Sequence, residues 1–172
     1  MKENWDDCFA MVIKSEGGFV NHPKDPGGMT NLGVTKANWE RYLNRDVSED
    51  DMRSLTPERV KPFYKAMYWD RIKGDSLPAG VDYAAYDLAV NSGPAKAARF
   101  LQEIAGVVAD GVIGPKSLEA IQSCDAKETA DAICDMRMDF LKGLSTFDTF
   151  GKGWTDRVTK VKAKAMSMAD EA

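Results

Sequence analysis

The sequence predicts a single, mainly α-helical domain with a small irregular or β-hairpin insertion after the first helix. Apolar residues recur at intervals of three and four along most of the chain, as they do on the buried face of a helix. Residues 19–34 depart from this pattern, because they are rich in Gly, Pro, Asn and Asp. The 172 residues, 44% hydrophobic and 29% charged, have the composition of one globular domain.

The first helix is predicted to end near Ser15. Its apolar stripe has helical spacing and consists of Trp5, Cys8, Phe9, Val12 and Ile13. Gly17 and Gly18 follow, and glycine commonly ends a helix. The insertion comes next, and Thr35 then offers a good N-cap for a short helix through Leu43.

Caps, stripes and stops predict the remaining helices. Thr56, Pro57 and Glu58 supply an N-cap, a first-turn proline and an early acid. Pro62 then implies a kink or a later start, because proline lacks the N–H that a helix interior uses. Later helices are predicted over residues 81–90, from Pro94 to Gly106, near Leu118, from Ala130 to Leu144, and after Gly153.

The charge and the cysteine content argue against several classes of protein. A net charge of −4 gives no basic field for nucleic acid. Cys8, Cys124 and Cys134 are best interpreted as reduced and buried, because each lies in an apolar helical pattern. His22 is the only histidine, so we expect no metal site and no cofactor.

The N-terminal segment does not have the pattern of a signal peptide. Residues 1–13 contain Lys2, Glu3, Asp6 and Asp7, whereas a signal peptide has an uncharged apolar centre. No other segment approaches the length needed to span a bilayer. We therefore expect a protein that is made in the cytoplasm and does not insert stably into membranes. We also expect a monomer.

Residues 15–35 contain the strongest candidates for chemistry. Cleavage of a glycosidic bond needs a protonated acid at the leaving oxygen and, usually, a second carboxylate for the water or the sugar cation. Glu16 suits the first role, since the negative end of a helix and a nearby apolar side chain such as Phe19 both favour the uncharged acid. Asp25 suits the second on its glycine-flanked turn, and Thr30 could hold a water beside it. The alternatives are that Asp25 only forms a turn and that Thr30 is a simple loop hydroxyl.

This run resembles the catalytic motif of glycoside hydrolase family 108, whose N-acetylmuramidases occur among phage endolysins and bacterial secretion-activator proteins. The resemblance lies in Glu-Gly-Gly at residues 16–18, in Asp-Pro-Gly-Gly-x-Thr-Asn-x-Gly at residues 25–33, and in Thr35. It implies a lysozyme-like fold in which Glu16 is the catalytic residue. The spacing is also similar to the Glu, Asp, Thr triad of phage T4-type lysozymes, apart from one residue between the Asp and the Thr.

Two later stretches extend the resemblance over nearly the whole chain. Residues 86–93 resemble the second cleft motif of the family, which implies that Tyr86 and Asn91 bind the sugar; otherwise Tyr86 is a core residue and Asn91 a helix cap. Residues 110–118 resemble the Asp-Gly-x-x-Gly-Pro turn of peptidoglycan-binding modules. Together they imply a catalytic region over residues 1–92, and a helical peptidoglycan-binding-like region over residues 93–172 of the same domain.

The implied function is hydrolysis of the β-1,4 bond between N-acetylmuramic acid and N-acetylglucosamine in peptidoglycan, which lyses the bacterial cell. The expected setting is a phage endolysin, held in the host cytoplasm until a holin pore gives it access to periplasmic peptidoglycan. One alternative is a lytic transglycosylase, which can work with one Glu. Another is a non-enzymatic wall-binding or secretion-accessory protein, in which Glu16 would be dispensable.

Overall fold

The computed structural model describes residues 1–22 and 28–172, and it confirms the mainly helical fold class with a small early sheet. The helices of these residues are α1 Trp5–Ser15, α2 Lys36–Leu43, α3 Glu49–Arg53, α4 Pro57–Tyr64, α5 Val81–Ser92, α6 Pro94–Ala105, α7 Pro115–Gln122, α8 Ala126–Lys142 and α9 Phe147–Glu171. The strands are β1 Val20–Asn21, β2 Met29–Asn31 and β3 Val34–Thr35.

The chain divides into two compact units. The smaller unit is Asp6–Ala66, and the larger unit combines Met1–Trp5 with Met67–Ala172. The boundary predicted from the sequence, after residue 92, concerns function rather than packing and stays a prediction. None of the described helices is both long enough and apolar enough to cross a bilayer.

The sheet of the smaller unit is antiparallel, with β2 between its two neighbours. Thr30 on β2 lies opposite Val20 on β1 and opposite Thr35 on β3. The insertion is therefore a small three-stranded sheet, within the range of irregular structures that the sequence predicts. Thr35 then caps α2 as predicted, because its hydroxyl accepts the Asn38 N–H at 3.1 Å.

Two further helices of the smaller unit depend on caps. The short α3 was not predicted; it begins with a capping box in which Ser48 and Asp51 bond to each other's backbone N–H. The Ser48 N–H on the Asp51 carboxylate also lowers the pKa of that carboxyl. The next helix, α4, starts at Pro57 as predicted and continues past Pro62 to Tyr64. A π-helical turn, Lys65–Trp69, follows.

The core of the larger unit is built around α5, which packs against α6, α8 and α9. Every residue from Val81 to Ala89 is buried, so this helix is covered on all sides rather than along one stripe. The rings of Trp5, Trp69 and Tyr86 pack together with centroids 5.3–5.6 Å apart. Such contacts between large rings contribute to stability beyond the area they bury.

Asp82 is a charged residue inside this core. The buried Asp82 carboxylate accepts hydrogen bonds from the Asn4 amide and from the Gly80 and Tyr83 backbone N–H groups, at 2.7–2.9 Å. The sequence did not reveal the Asn4 partner, which lies far from Asp82 along the chain. These hydrogen bonds satisfy a charge whose burial alone would be costly.

The last helix begins earlier than predicted. It starts at Phe147 rather than after Gly153, and it includes two glycines. A methyl group on Gly151 would lie 2.8 Å from the Phe147 ring, so the ring occupies the space that a side chain would need. The helix therefore continues through two glycines, although glycine has a low helix propensity.

The three cysteines are free thiols, with Cys8 and Cys134 buried and Cys124 partly buried. Burial raises the pKa of the Cys134 thiol to about 12, because the thiolate would lose its hydration. A thiol with this pKa is uncharged and unreactive at neutral pH.

Candidate active site

Glu16 follows the last residue of α1 and is half-buried. Its backbone N–H donates to the Ile13 carbonyl at 3.2 Å, which continues the helical bonding by one residue. The helix is fixed by its buried face, where Cys8 and Val12 are fully buried. Its carboxyl group therefore lies at the negative end of a well-anchored helix, as the sequence predicts.

The turn between β2 and β3 lies next to Glu16. Leu32 and Gly33 both have positive φ angles, 51° and 75°. The Leu32 N–H donates to the Gly17 carbonyl at 2.9 Å, and the Leu32 carbonyl accepts the Tyr64 hydroxyl at 2.6 Å. The turn is thus bonded on one side to the residue after Glu16 and on the other side to α4.

Gly33 allows a close approach that a larger residue would prevent. A methyl group at this position would lie 2.6 Å from Glu16 Oε2 and 2.5 Å from the Tyr64 hydroxyl oxygen. The carboxyl and hydroxyl oxygens therefore lie on the same side of the turn, against its backbone. The positive φ and the missing side chain are both needed here, which explains a glycine at the end of the first motif.

Tyr64 is a site residue that the sequence did not reveal. It ends an ordinary amphipathic helix, and its aromatic ring reads as a core residue, which it also is at 1% exposed. The only sequence signal was indirect, because a glycine in a polar motif often marks a close backbone approach. Nothing in the sequence identified which side chain would lie there.

The other predicted residues of the first motif are only partly described. Thr30 lies in the middle of β2 and is half-buried. Asp25 lies outside the described residues, so its pairing with Glu16 stays a prediction. The Arg53 guanidinium lies over the Phe19 ring, 4.1 Å from its centroid. The ring that the sequence predicts to desolvate Glu16 therefore has a positive charge on one face.

The predicted sugar-binding residues belong to the larger unit. Tyr86 is fully buried against Trp5 and Trp69, which favours the core interpretation. Asn91 is exposed in the last turn of α5, two residues before Gly93, whose N–H bonds to the Ala89 carbonyl at 2.9 Å. Their binding of sugar stays a prediction.

Asp87, which lies between Tyr86 and Asn91 in the second motif, pairs with two arginines in the core. Its buried carboxylate accepts hydrogen bonds from Arg137 at 2.5 Å and from Arg157 at 3.0 Å. Arg137 is 2% exposed, and its Nε and Nη2 atoms have no hydrogen-bond partner within the described ranges. The acidic residue of this motif therefore joins α5 to α8 and α9.

The third motif, at residues 110–115, is closed by Gln102 of α6. The buried amide nitrogen of Gln102 donates to Asp110 and to the Val112 carbonyl, both at 2.9 Å, and its oxygen accepts the Gly111 N–H at 2.9 Å. The Val112 N–H and the Gln102 amide lower the pKa of the Asp110 carboxyl. A shallow pocket of about 480 Å³ lies on this turn, lined by Asp110, Val112, Gly114, Pro115, Lys116 and Ser117.

Metal ligands are not gathered anywhere in the described part of the chain. No three or more His, Cys, Asp or Glu residues there form a group that could hold a metal ion. The Glu16 carboxyl group lies beside the Gly33 backbone and near the Tyr64 hydroxyl.

Comparison with known proteins gives matches for both halves of the sequence. Residues 9–93 match the family model described as "Glycosyl hydrolase 108", and residues 96–159 match the one described as "Predicted Peptidoglycan domain". The chain is similar to the solved structure "Structure of Brucella abortus SagA", with 44% identity, a TM-score of 0.88, and coverage of 98% of this chain and 97% of that chain. No curated protein matches.

Proposed function

Because the chain belongs to the glycosyl hydrolase 108 family, we propose that it hydrolyses the β-1,4 bond between N-acetylmuramic acid and N-acetylglucosamine in peptidoglycan. The family makes it a glycoside hydrolase, and the domain matched by residues 96–159 supports peptidoglycan as its partner. The choice of bond is the finer part of the proposal. The observation that supports glycoside hydrolysis is the Glu16 carboxyl group at the end of α1, which lies against the Gly33 backbone.

In the proposed mechanism, Glu16 is the general acid that protonates the oxygen of the leaving sugar. Its position at a helix C-terminus favours the protonated form that this step consumes. Positive charge then develops on the sugar whose bond breaks, and a water attacks it. Glu16 is the only residue of the described part that we assign to proton donation.

Asp25 is proposed to orient the attacking water and to accept the proton that the water loses, with assistance from Thr30. Eight residues with two glycines and a proline separate Glu16 from Asp25, a stretch that allows the chain to swing out and back. Inverting glycosidases leave room for a water by keeping their carboxyl groups roughly 6.5–9.5 Å apart, while retaining enzymes hold them about 5–5.5 Å apart. We therefore propose inversion at the anomeric carbon. The endolysin setting and release through a holin pore also stay proposals.

The test compares the wild-type protein with Glu16→Gln on purified peptidoglycan. The amide keeps the shape of the side chain but has no proton to give, so activity should fall by about 10²–10⁴ while the melting temperature is unchanged. Products are separated and identified by mass spectrometry, and the first anomer released is read by proton NMR. We expect a reducing N-acetylmuramic acid end, released as the α-anomer.

The matched control is Glu58→Gln, an exposed glutamate on α4 of the same unit, which should keep full activity. Activity of Glu16→Gln within about twofold of the wild type would contradict the assignment of the acid. A wild-type protein that releases no product would favour the wall-binding alternative. An anhydro-sugar product would identify a lytic transglycosylase instead. A first β-anomer would contradict inversion.

A further inference from the structure

We propose that Tyr64 is a positioning residue for Glu16, an inference that rests on the proposed role of Glu16 as the acid. Its hydroxyl fixes the Leu32–Gly33 turn, and the same oxygen borders the space occupied by the Glu16 carboxyl group. The carboxyl group is thereby confined between a phenol oxygen and a backbone turn.

The confinement follows from three contacts within the smaller unit. The Leu32 N–H bonds to the carbonyl of Gly17, directly after Glu16, and the Leu32 carbonyl accepts the Tyr64 hydroxyl. Gly33 then brings its backbone to the carboxyl, with Glu16 Oε2 and the Tyr64 oxygen both within 2.6 Å of the position of its absent methyl group. Loss of the hydroxyl would free the turn on the side away from Gly17.

The Tyr64 ring is held independently of its hydroxyl. It packs edge to face against Phe9 at 5.6 Å and against Phe63 at 5.7 Å between centroids. Phe9 lies on α1, the helix that ends at Glu16, and Lys61 of α4 pairs with Asp6 of α1 at 2.6 Å. The ring should therefore stay in place when the hydroxyl is removed, and Tyr64→Phe isolates the effect of that one oxygen.

A positioning role acts on the reacting group rather than on substrate binding. A displacement of about 1 Å at a reacting group can reduce the rate by roughly 10². We therefore expect Tyr64→Phe to lower kcat by about tenfold to a hundredfold, with KM unchanged within about twofold. The kinetics are measured on soluble, uncross-linked peptidoglycan strands from the release of reducing ends.

The matched control is Val60→Ala, one turn earlier on α4, where a fully buried side chain carries no polar atom. It should lower the melting temperature by a few degrees, as Tyr64→Phe does, and keep kcat within about twofold of the wild type. The positioning role is wrong if Tyr64→Phe keeps the wild-type kcat or raises only KM. It is also wrong if Val60→Ala has the same melting temperature as Tyr64→Phe and an equal loss of kcat.

A second measurement does not depend on catalysis. In protein labelled with ¹³C at glutamate carboxyl carbons, the Glu16 signal is identified by its absence from the Glu16→Gln spectrum. This signal should move in Tyr64→Phe and stay in place in Val60→Ala. A signal that stays in place in Tyr64→Phe contradicts the proposal even if the protein hydrolyses peptidoglycan. A signal that moves in a protein without hydrolytic activity supports positioning and rejects only the proposed function.

Discussion

The polar residues of the sequence motifs are placed differently in the two units of this chain. Glu16 and Thr30 of the smaller unit are half-buried beside short strands and a glycine turn. The buried polar residues of the larger unit lie inside its core, and among those described they are Asp82, Asp87, Gln102, Thr129 and Arg137. The Glu16 carboxyl group is thus partly accessible to solvent, whereas Asp87 is enclosed by two arginines.

The largest effect expected from this comparison concerns the two carboxylates themselves. Asp87→Asn should lower the free energy of unfolding by about 3–5 kcal/mol, because it leaves the buried Arg137 without its counter-charge. Glu16→Gln should change it by less than about 0.5 kcal/mol. Urea denaturation followed by circular dichroism measures both values.

The control for Asp87 is Asp131→Asn. Asp131 pairs with Lys162 at 2.7 Å, but both side chains are more than a third exposed, so the loss should stay below about 1 kcal/mol. Equal losses of unfolding free energy for Asp87→Asn and Asp131→Asn would contradict the special contribution of the buried Asp87–Arg137 pair to stability.

A smaller effect is expected from two glycines that share a backbone conformation. Gly33 has a φ of 75° and Gly106 a φ of 74°, but only Gly33 has neighbours where a methyl group would lie. Both alanine variants should lose about 1–2 kcal/mol of stability from the left-handed backbone. Gly33→Ala should in addition displace Glu16 and lower activity by about 10².

The measurement pairs urea denaturation with the release of reducing ends from peptidoglycan. If Gly106→Ala loses as much activity as Gly33→Ala, the cause is the general loss of stability. Retained activity in Gly33→Ala would show that the approach of the turn to the acid has no role in catalysis.

The smallest effect is expected from two threonines of the smaller unit. Thr30→Val should lower activity by about fivefold, because the proposed hydrogen bond to the attacking water, worth about 1 kcal/mol, is lost, with little change in stability. Thr56→Val removes the N-cap of α4, in which the hydroxyl accepts the Arg59 N–H, and should cost about 1 kcal/mol of stability. Its activity should be unchanged. A Thr30→Val protein with full activity would favour the simple hydroxyl interpretation.

Periodic patterns and caps predicted most helices because each is a local property of the sequence. The stripe before Ser15 and the cap at Thr35 are read from neighbouring residues, and both are confirmed. The five-residue α3 was missed because it is shorter than one and a half helical turns and gives no stripe. The start of α9 was misplaced because the Phe147 contact with Gly151 is not a property of the periodic pattern.

Residues of the candidate site could be predicted only where they lie within a recognised sequence motif. Glu16 is found from the residues around it, but Tyr64 reaches the site through contacts with Leu32 and Gly33 on another element. For Tyr86 the sequence left a core role and a sugar-binding role open, because α5 is covered on all sides and its pattern does not show which residues face solvent. Contacts between distant elements need the folded chain.

The turn at residues 110–115 depends on the amide of one side chain, Gln102. Gln102 lies eight residues before Asp110, and its amide bonds the turn to α6. A glutamate there would have the same shape but no N–H to give to Asp110 or to the Val112 carbonyl, and its charge would repel the aspartate. Chemical deamidation of Gln102 would therefore remove the hydrogen bonds from its amide to Asp110 and to the Val112 carbonyl without changing any other residue.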